Sequence, residues 1–274
     1  MPPRAPVSAR VRRNRLIAGA IALAVVLGGS ITAAALLVAG GGEGVNPAAS
    51  ASVDPTPMPT PTPTAERPSP VATPTPAPVE TFDRAARSID DPMSIWVVVD
   101  KLRPLQPMDF EPTDLVSVPV AHTWEPLLRQ EASNAVVALF AAAKAEAGLS
   151  LASNSAYRSY AAQQNVYVGD DELTARPGFS EHQTGLSIDI GAESGTCSIE
   201  VCFADLPEGQ WLRDNAHRFG FILRYPADKQ AVTGYQFEPW HFRYVGVDLA
   251  EEMRATGVTT LEEFFGLPAA PAYQ

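Results

Sequence analysis

"GFSEHQTGLSIDI", residues 178–190, sets a histidine, a serine and an aspartate in a run whose second half is otherwise a plain apolar strand. Alternation over Leu186–Ile190 sends Leu186, Ile188 and Ile190 to one face and Ser187 and Asp189 to the other. A carboxylate there loses several kcal/mol of hydration unless a partner or a metal neutralises it. His182 lies upstream across a turn that Gly185 permits, so its ring and Asp189 can converge.

A second stretch, "EPWHFRY" at 238–244, completes the pattern. Pro239 enforces an extended backbone, which argues against a zincin helix, and the chain holds no HExxH. On the strand that follows, His241 and Arg243 point one way while Trp240, Phe242 and Tyr244 point the other. His182, Asp189 and His241 together would make a three-ligand zinc set with a fourth position open to water. Glu238 would be the non-ligand carboxylate that takes the water's proton. The competing reading of the same residues is a satisfied polar cluster, with Glu238 merely orienting a histidine and Arg158 pairing with a surface acid. His122 and His217 read as ordinary surface histidines, and Trp211 and Trp240 as core.

Working outward, Trp96–Val99 reads as a short strand, followed by a Pro-punctuated stretch lying extended over the surface. Residues 125–148 read as the strongest helix, with Thr123 as N-cap, Pro126 in the first turn and Gly148 at the end. Leu127, Leu128, Val136, Leu139, Phe140 and Ala143 form its apolar stripe. Residues 149–159 read as a strand, then a short helix capped by Ser159. Residues 208–221 read as a helix ended by Gly220, with a strand in "FILRYP" and two closing helices after the second strand motif. Helices mixed with short strands outside βαβ order indicate an α+β domain.

The first eighty residues are of another kind. Residues 1–15 carry five arginines and no acid, and the next 23, "LIAGAIALAVVLGGSITAAALLV", carry no charge. A helix over 16–38 would be roughly 34 Å long, enough to cross a hydrocarbon core of about 30 Å. The basic segment 1–15 would stay in the cytoplasm and the remainder would lie outside. A cleaved signal peptide is the alternative, because small residues follow the apolar run; a lipoprotein is excluded, since no cysteine follows it. Residues 39–84, rich in Thr-Pro repeats, have little apolar surface to bury and read as an extended spacer. The folded domain is expected over 85–270.

The chain's net charge is −11 although five of its 20 basic residues lie in that short N-terminal segment. So acidic a domain is a poor partner for nucleic acid or anionic lipid. Cys197 and Cys202, in "GTCSIEVCF", are the only cysteines. Outside the cytoplasm they read as a small disulfide clip, and a zinc site using both thiols would need further ligands.

Four ordered motifs, "YRSYAAQ", "RPGFSEHQTGLSIDI", "WLRDNAHRFGFILRYP" and "EPWHFRYVG", resemble the VanY-type D-alanyl-D-alanine carboxypeptidases, zinc metallopeptidases of the LAS group. With "DKLRPLQPMDFEPTDL", the resemblance spans roughly residues 95–250. It implies a small antiparallel sheet flanked by helices, the LAS/hedgehog-type peptidase fold. The family pattern S-x-H-x-x-G-x-A-x-D falls on Ser180, His182, Gly185, Ser187 and Asp189, and E-x-x-H on Glu238 and His241. By this resemblance one zinc ion per domain is held by His182, Asp189 and His241, with Glu238 as base. Arg158 matches the arginine that polarises the scissile carbonyl and stabilises the oxyanion, and Gln163 and Ser180 match positions that contact the terminal D-alanine.

The implied activity is removal of the terminal D-Ala from peptidoglycan stem peptides ending in D-Ala-D-Ala, by a monomer held at the cell membrane through one span. The alternatives are an L,D-carboxypeptidase, a D,D-dipeptidase or an endopeptidase of the same family, or a non-catalytic zinc-containing wall-binding domain. Two departures stand out. Ser187 replaces the family's usual alanine, a change expected to leave the metal untouched. The stretch 167–176 is shorter than in many relatives, which bears on the rim of the cleft.

Overall fold

The structure, a computed structural model, describes residues 82–274, all within the second of the two units into which the chain divides, Pro74–Gln274. The basic segment, the expected span over 16–38 and the spacer as far as residue 81 lie outside the described residues. Among the described residues no helix is long and apolar enough to cross a membrane.

Among the described residues, two antiparallel sheets and six α-helices form an α+β domain. β1 (Leu115–Ser117) pairs with β2 (Leu127–Arg129). The principal sheet has four strands in the order β3 (Leu151–Ser155), β4 (Ser187–Ala192), β6 (His241–Tyr244), β5 (Phe221–Leu223), all antiparallel. β4 is buried along its whole length, as expected for a central strand covered on both faces. Ile188, Ile190 and Phe242 enter the core, each at most 1% exposed, where a fully buried side chain of this kind contributes about 1.5–3 kcal/mol.

Helix α1 (Gln130–Ala147) turns Ala132, Val136, Leu139 and Ala143 into that core and ends at Gly148, whose φ of 71° closes the last turn. α2 (Tyr160–Val166) is capped by Ser159, whose hydroxyl accepts from the Ala162 N–H, as its sequence suggests. α3 (Pro207–Asn215) carries proline at its start and continues into a 3-10 turn ending at Gly220. α4 (Gln230–Thr233), α5 (Val247–Thr256) and α6 (Leu261–Phe265) complete the shell.

Two expectations are corrected. The helix expected from residue 125 starts at Gln130, because Leu127–Arg129 pair with Leu115–Ser117 instead of forming its first turn. Thr123 accordingly caps nothing; its N–H bonds the Ser153 carbonyl. Trp96–Val99 is not a strand. The segment is buried, but two of its carbonyls meet side chains: Arg243 Nη2 donates to Val97 O at 2.7 Å, and to the preceding Ile95 O at 3.2 Å, and Arg103 Nε donates to Val98 O at 3.3 Å. Packing reaches the ends of the described residues. Phe82 stacks on Trp96 and meets the edge of Phe264, and Tyr273 meets Phe179 edge-on.

Candidate active site

β4 and β6 place the two strand-borne groups. Asp189 and His241 are cross-strand partners in the antiparallel register, so their side chains leave the same face. His182 comes from a 3-10 turn, Glu181–Thr184, that Gly185 ends with φ 67°. A Cβ at Gly185 would also stand 2.8 Å from a Leu115 methyl, which would have to shift, but it is the positive φ that favours glycine here. Glu238 is set by the turn into β6, where its carbonyl accepts from the His241 N–H at 3.1 Å and its own N–H donates to Tyr225 O at 3.1 Å.

The side chains converge. His182 Nε2 lies 3.4 Å from Asp189 Oδ2, and His241 Nδ1 lies 3.2 Å from Asp189 Oδ1 and 3.8 Å from Glu238 Oε2. One potential ligand atom from each of His182, Asp189 and His241 falls within 4.8 Å of the others. The two rings meet edge to face at 4.9 Å. All four residues are at most 6% exposed.

Arg158 follows β3, and a bulge brings it there. The β3–β4 register shifts between Ser153 and Ser155, which sets Ser155 opposite Asp189. Arg158 Nη2 donates to Ser155 Oγ at 3.1 Å and Nη1 to Gln163 Oε1 at 2.8 Å. Gln163 is fully buried and donates its amide to Ala175 O at 2.7 Å. Both ends of Gln163 are therefore engaged, and it stands behind Arg158 as its support. Ser180 is buried and its hydroxyl does not cap the turn that follows it.

The electrostatics follow from burial and from charges at close range. Burial pushes the Glu238 carboxyl up to about 8, against the pull of His241 and with a further push from Asp189. For His241, burial alone would lower the pKa, but the carboxylates of Asp189 and Glu181 outweigh it and raise it to about 9. His182, with less negative charge around it, is lowered, mainly by burial. Asp189 is held well below the usual carboxylate range by the two histidines in spite of burial. Burial lowers the Arg158 pKa, while Asp189 and Glu238 act to raise it.

The donor atoms fit a divalent cation. His182 Nδ1 lies 2.6 Å from the Ala156 carbonyl; only a protonated nitrogen can bond there, which leaves the Nε2 lone pair facing Asp189. Asp189 Oδ1 is buried and makes no well-aligned hydrogen bond, although His241 Nδ1 stands 3.2 Å away; a cation between the two atoms would satisfy both. Two imidazole nitrogens and a carboxylate oxygen are the ligand types zinc takes, and three of them leave a position for a reacting molecule.

Sequence reasoning passed over the layer behind these groups. Glu181, Arg224, Arg243 and Glu262 form a fully buried charge cluster, with Arg224 bonded to both oxygens of Glu262 at 2.7 and 2.9 Å and to Glu181 at 2.8 Å, and Arg243 bonded to Glu181 at 2.7 Å. The available signal was Arg243, alternating with His241 on one face of a buried strand. Ser187 also does more than the sequence suggests. Its hydroxyl donates to Glu181 Oε2 at 3.2 Å, and that oxygen lies 3.5 Å from His241 Nε2. Cys197 and Cys202 form a disulfide, and His122 and His217 lie outside the cluster, against Val120 O and Glu251.

The sequence matches the VanY family, D-alanyl-D-alanine carboxypeptidase, over residues 125–247, a range that contains Arg158, His182, Asp189, Glu238 and His241. It is 39% identical over 192 residues to YodJ of Bacillus subtilis, a protein that carries a carboxypeptidase name, covering 65% of this chain and 69% of that one. It is 44% identical over 112 residues to a D-alanyl-D-alanine carboxypeptidase of Enterococcus faecium, covering 40% of this chain and about a third of that relative, 35%. Among solved structures, the LD-carboxypeptidase LdcB aligns with TM-score 0.60 and 40% identity, covering 64% of this chain and 87% of its own. The vancomycin-resistance D,D-pentapeptidase VanY of a VanB-type cassette, solved with Zn(II), aligns with TM-score 0.52 and 30% identity, covering 63% and 98%. This chain belongs to the VanY D-alanyl-D-alanine carboxypeptidase family, and its fold and hydrolase class follow from that membership.

Proposed function

We propose that this protein is a zinc-dependent D,D-carboxypeptidase that removes the terminal D-Ala from peptidoglycan stem peptides. The observation that carries the reading is the buried convergence of His182, Asp189 and His241, with Asp189 Oδ1 left without a hydrogen bond. The two histidines and Asp189 would hold one ion. When bound, zinc would acidify the attacking water and polarise the scissile carbonyl, and its charge would draw the Glu238 titration down.

Glu238 sits within reach of the same space as a base for that water and, once protonated, a donor to the departing D-Ala amine. Arg158, fixed by Gln163 and Ser155, directs its charge at the oxygen that becomes negative in the transition state. Ser180, whose hydroxyl does not cap its turn, is the candidate contact to the terminal D-alanine. The basic and apolar N-terminal segments support a single-pass anchor with the domain outside the cytoplasm, acting as a monomer on wall peptides.

A second reading is favoured by one observation: the LD-carboxypeptidase LdcB aligns more closely than the D,D-pentapeptidase does, with TM-score 0.60 against 0.52. The deciding experiment offers the purified protein a synthetic stem pentapeptide and tetrapeptide, with zinc and after chelation. Loss of one D-Ala from the pentapeptide, abolished by chelator and restored by zinc, is the expected result. Cleavage of the tetrapeptide alone assigns the L,D activity. No release from either by zinc-loaded protein sinks the carboxypeptidase reading and leaves a cut at another bond of the wall peptide or a wall-binding role, which product analysis on whole peptidoglycan separates.

A further inference from the structure

Behind His241, on the side away from Asp189, lies an acid that the ligand set does not use. Glu181 is 2% exposed, and its two oxygens have different surroundings. Oε1 receives Arg224 Nε at 2.8 Å and Arg243 Nη1 at 2.7 Å. Oε2 receives the Ser187 hydroxyl and faces His241 Nε2. Neither guanidinium is free to move away. Arg224 is held by both oxygens of Glu262, and Arg243 by the carbonyls of Ile95, Val97 and Tyr244. His241 Nε2 is buried and makes no hydrogen bond among the described residues; the 3.5 Å to Glu181 lies at the outer edge of hydrogen-bond range.

We propose that Glu181 is a positioning residue for the metal site: a carboxylate clamped by Arg224 and Arg243 that accepts a hydrogen bond from the Nε2–H of His241, keeps the proton on that nitrogen and so reserves the Nδ1 lone pair for the cation. The inference rests on reading His182, Asp189 and His241 as metal ligands. A neutral imidazole carries one proton and one lone pair, and the hydrogen bond made by one nitrogen decides what the other can do. For His182 the Ala156 carbonyl makes that choice. His241 presents the opposite nitrogen to Asp189, so its acceptor must stand on the far side, and Glu181 is the acid found there. A small ring rotation closes the contact, as such bonds tighten when a site is filled. A carboxylate in this place also makes the ligand more basic. Ser187 holds Oε2 in direction, which gives its hydroxyl a task that an alanine could not perform.

The test is Glu181→Gln. Two guanidinium donors hold the Oε1 position, so the glutamine carbonyl takes that place and its NH2 falls opposite His241 Nε2. That nitrogen must then accept, which moves the proton to Nδ1 and blocks the ligand. Zinc affinity, measured by competition with a chromophoric chelator, should fall roughly 10–100-fold. Ser187→Ala, which keeps every charge, should lower it by a smaller factor. Because Glu181→Gln leaves two buried arginines facing one acid, the wild-type protein supplies the independent measurement. Nitrogen-15 spectra of the zinc-loaded full chain should place the metal on Nδ1 of His241, with the proton on Nε2, and on Nε2 of His182. Zinc on Nε2 of His241, or a folded Glu181→Gln with unchanged zinc affinity, overturns the inference and leaves the metal reading standing. A wild-type protein that takes up no zinc overturns the metal reading itself.

Discussion

Two buried polar regions lie back to back across His241, and they differ in how fully they are satisfied. In the rear cluster both arginines and both glutamates are matched, two charges of each sign, and each guanidinium has several acceptors. In the front cluster Asp189 Oδ1 lacks a hydrogen bond and Glu238 is forced toward its neutral form. The first arrangement is complete without anything else. The second leaves a place that the proposed cation and its water would fill, which is why the rear reads as framework and the front as chemistry.

The strongest way to break that distinction is to remove a front residue. Glu238→Ala should lose about 10²–10⁴-fold in turnover while keeping zinc and melting temperature, and His241→Ala should lose both zinc and turnover; metal content and peptide cleavage, measured together, check this. If Glu238→Ala left turnover intact, the assigned base would be wrong. Arg158→Ala should cost on the order of 10²–10³ in kcat without loss of metal.

In the rear cluster the sign of the effect changes from rate to stability. Arg224→Ala leaves Glu181 and Glu262 short of a buried partner and should destabilise the fold by about 3–5 kcal/mol, read by denaturant unfolding. The pH dependence sharpens the same point. Burial would raise the Glu181 pKa, but Arg224 and Arg243 hold it well below its ordinary 4.5. A depressed carboxylate contributes stability that is full above the ordinary value and is lost as pH falls toward the lowered one. The stability gap between wild type and Glu181→Gln should therefore narrow below about pH 4.5, and a gap unchanged down to pH 2.5 would contradict it. The smallest effect belongs to Cys197→Ser with Cys202→Ser: the loop is shorter than the 15 residues for which about 3 kcal/mol is expected, so the loss should be less than that.

The front cluster was legible because its residue types are out of place: an aspartate on an apolar strand, a histidine after a proline-set turn. The rear cluster was not, because Glu181 and Arg224 look like ordinary polar neighbours until the sheet brings them together from positions 43 residues apart. The helix start was misplaced for a related reason. Leu127 and Leu128 satisfy a helical stripe as well as a strand, and only the pairing with Leu115–Ser117, a tertiary fact, chooses between them. Trp96–Val99 has a strand's composition, yet Arg243 takes the Val97 carbonyl and Arg103 the Val98 carbonyl from the side, and no ladder forms. The Ser159 and Gly148 caps were readable because capping is local chemistry.

The direct pairing of Asp189 with His241 makes the proposed ligand set sensitive to sheet alignment. A slip of one residue between β4 and β6 would bring Ile188 or Ile190 opposite His241 and turn the carboxylate to the other face. Metal uptake by a freshly refolded sample would thus serve as a gauge of strand alignment, counting only the molecules whose two central strands are in register, before any substrate is added.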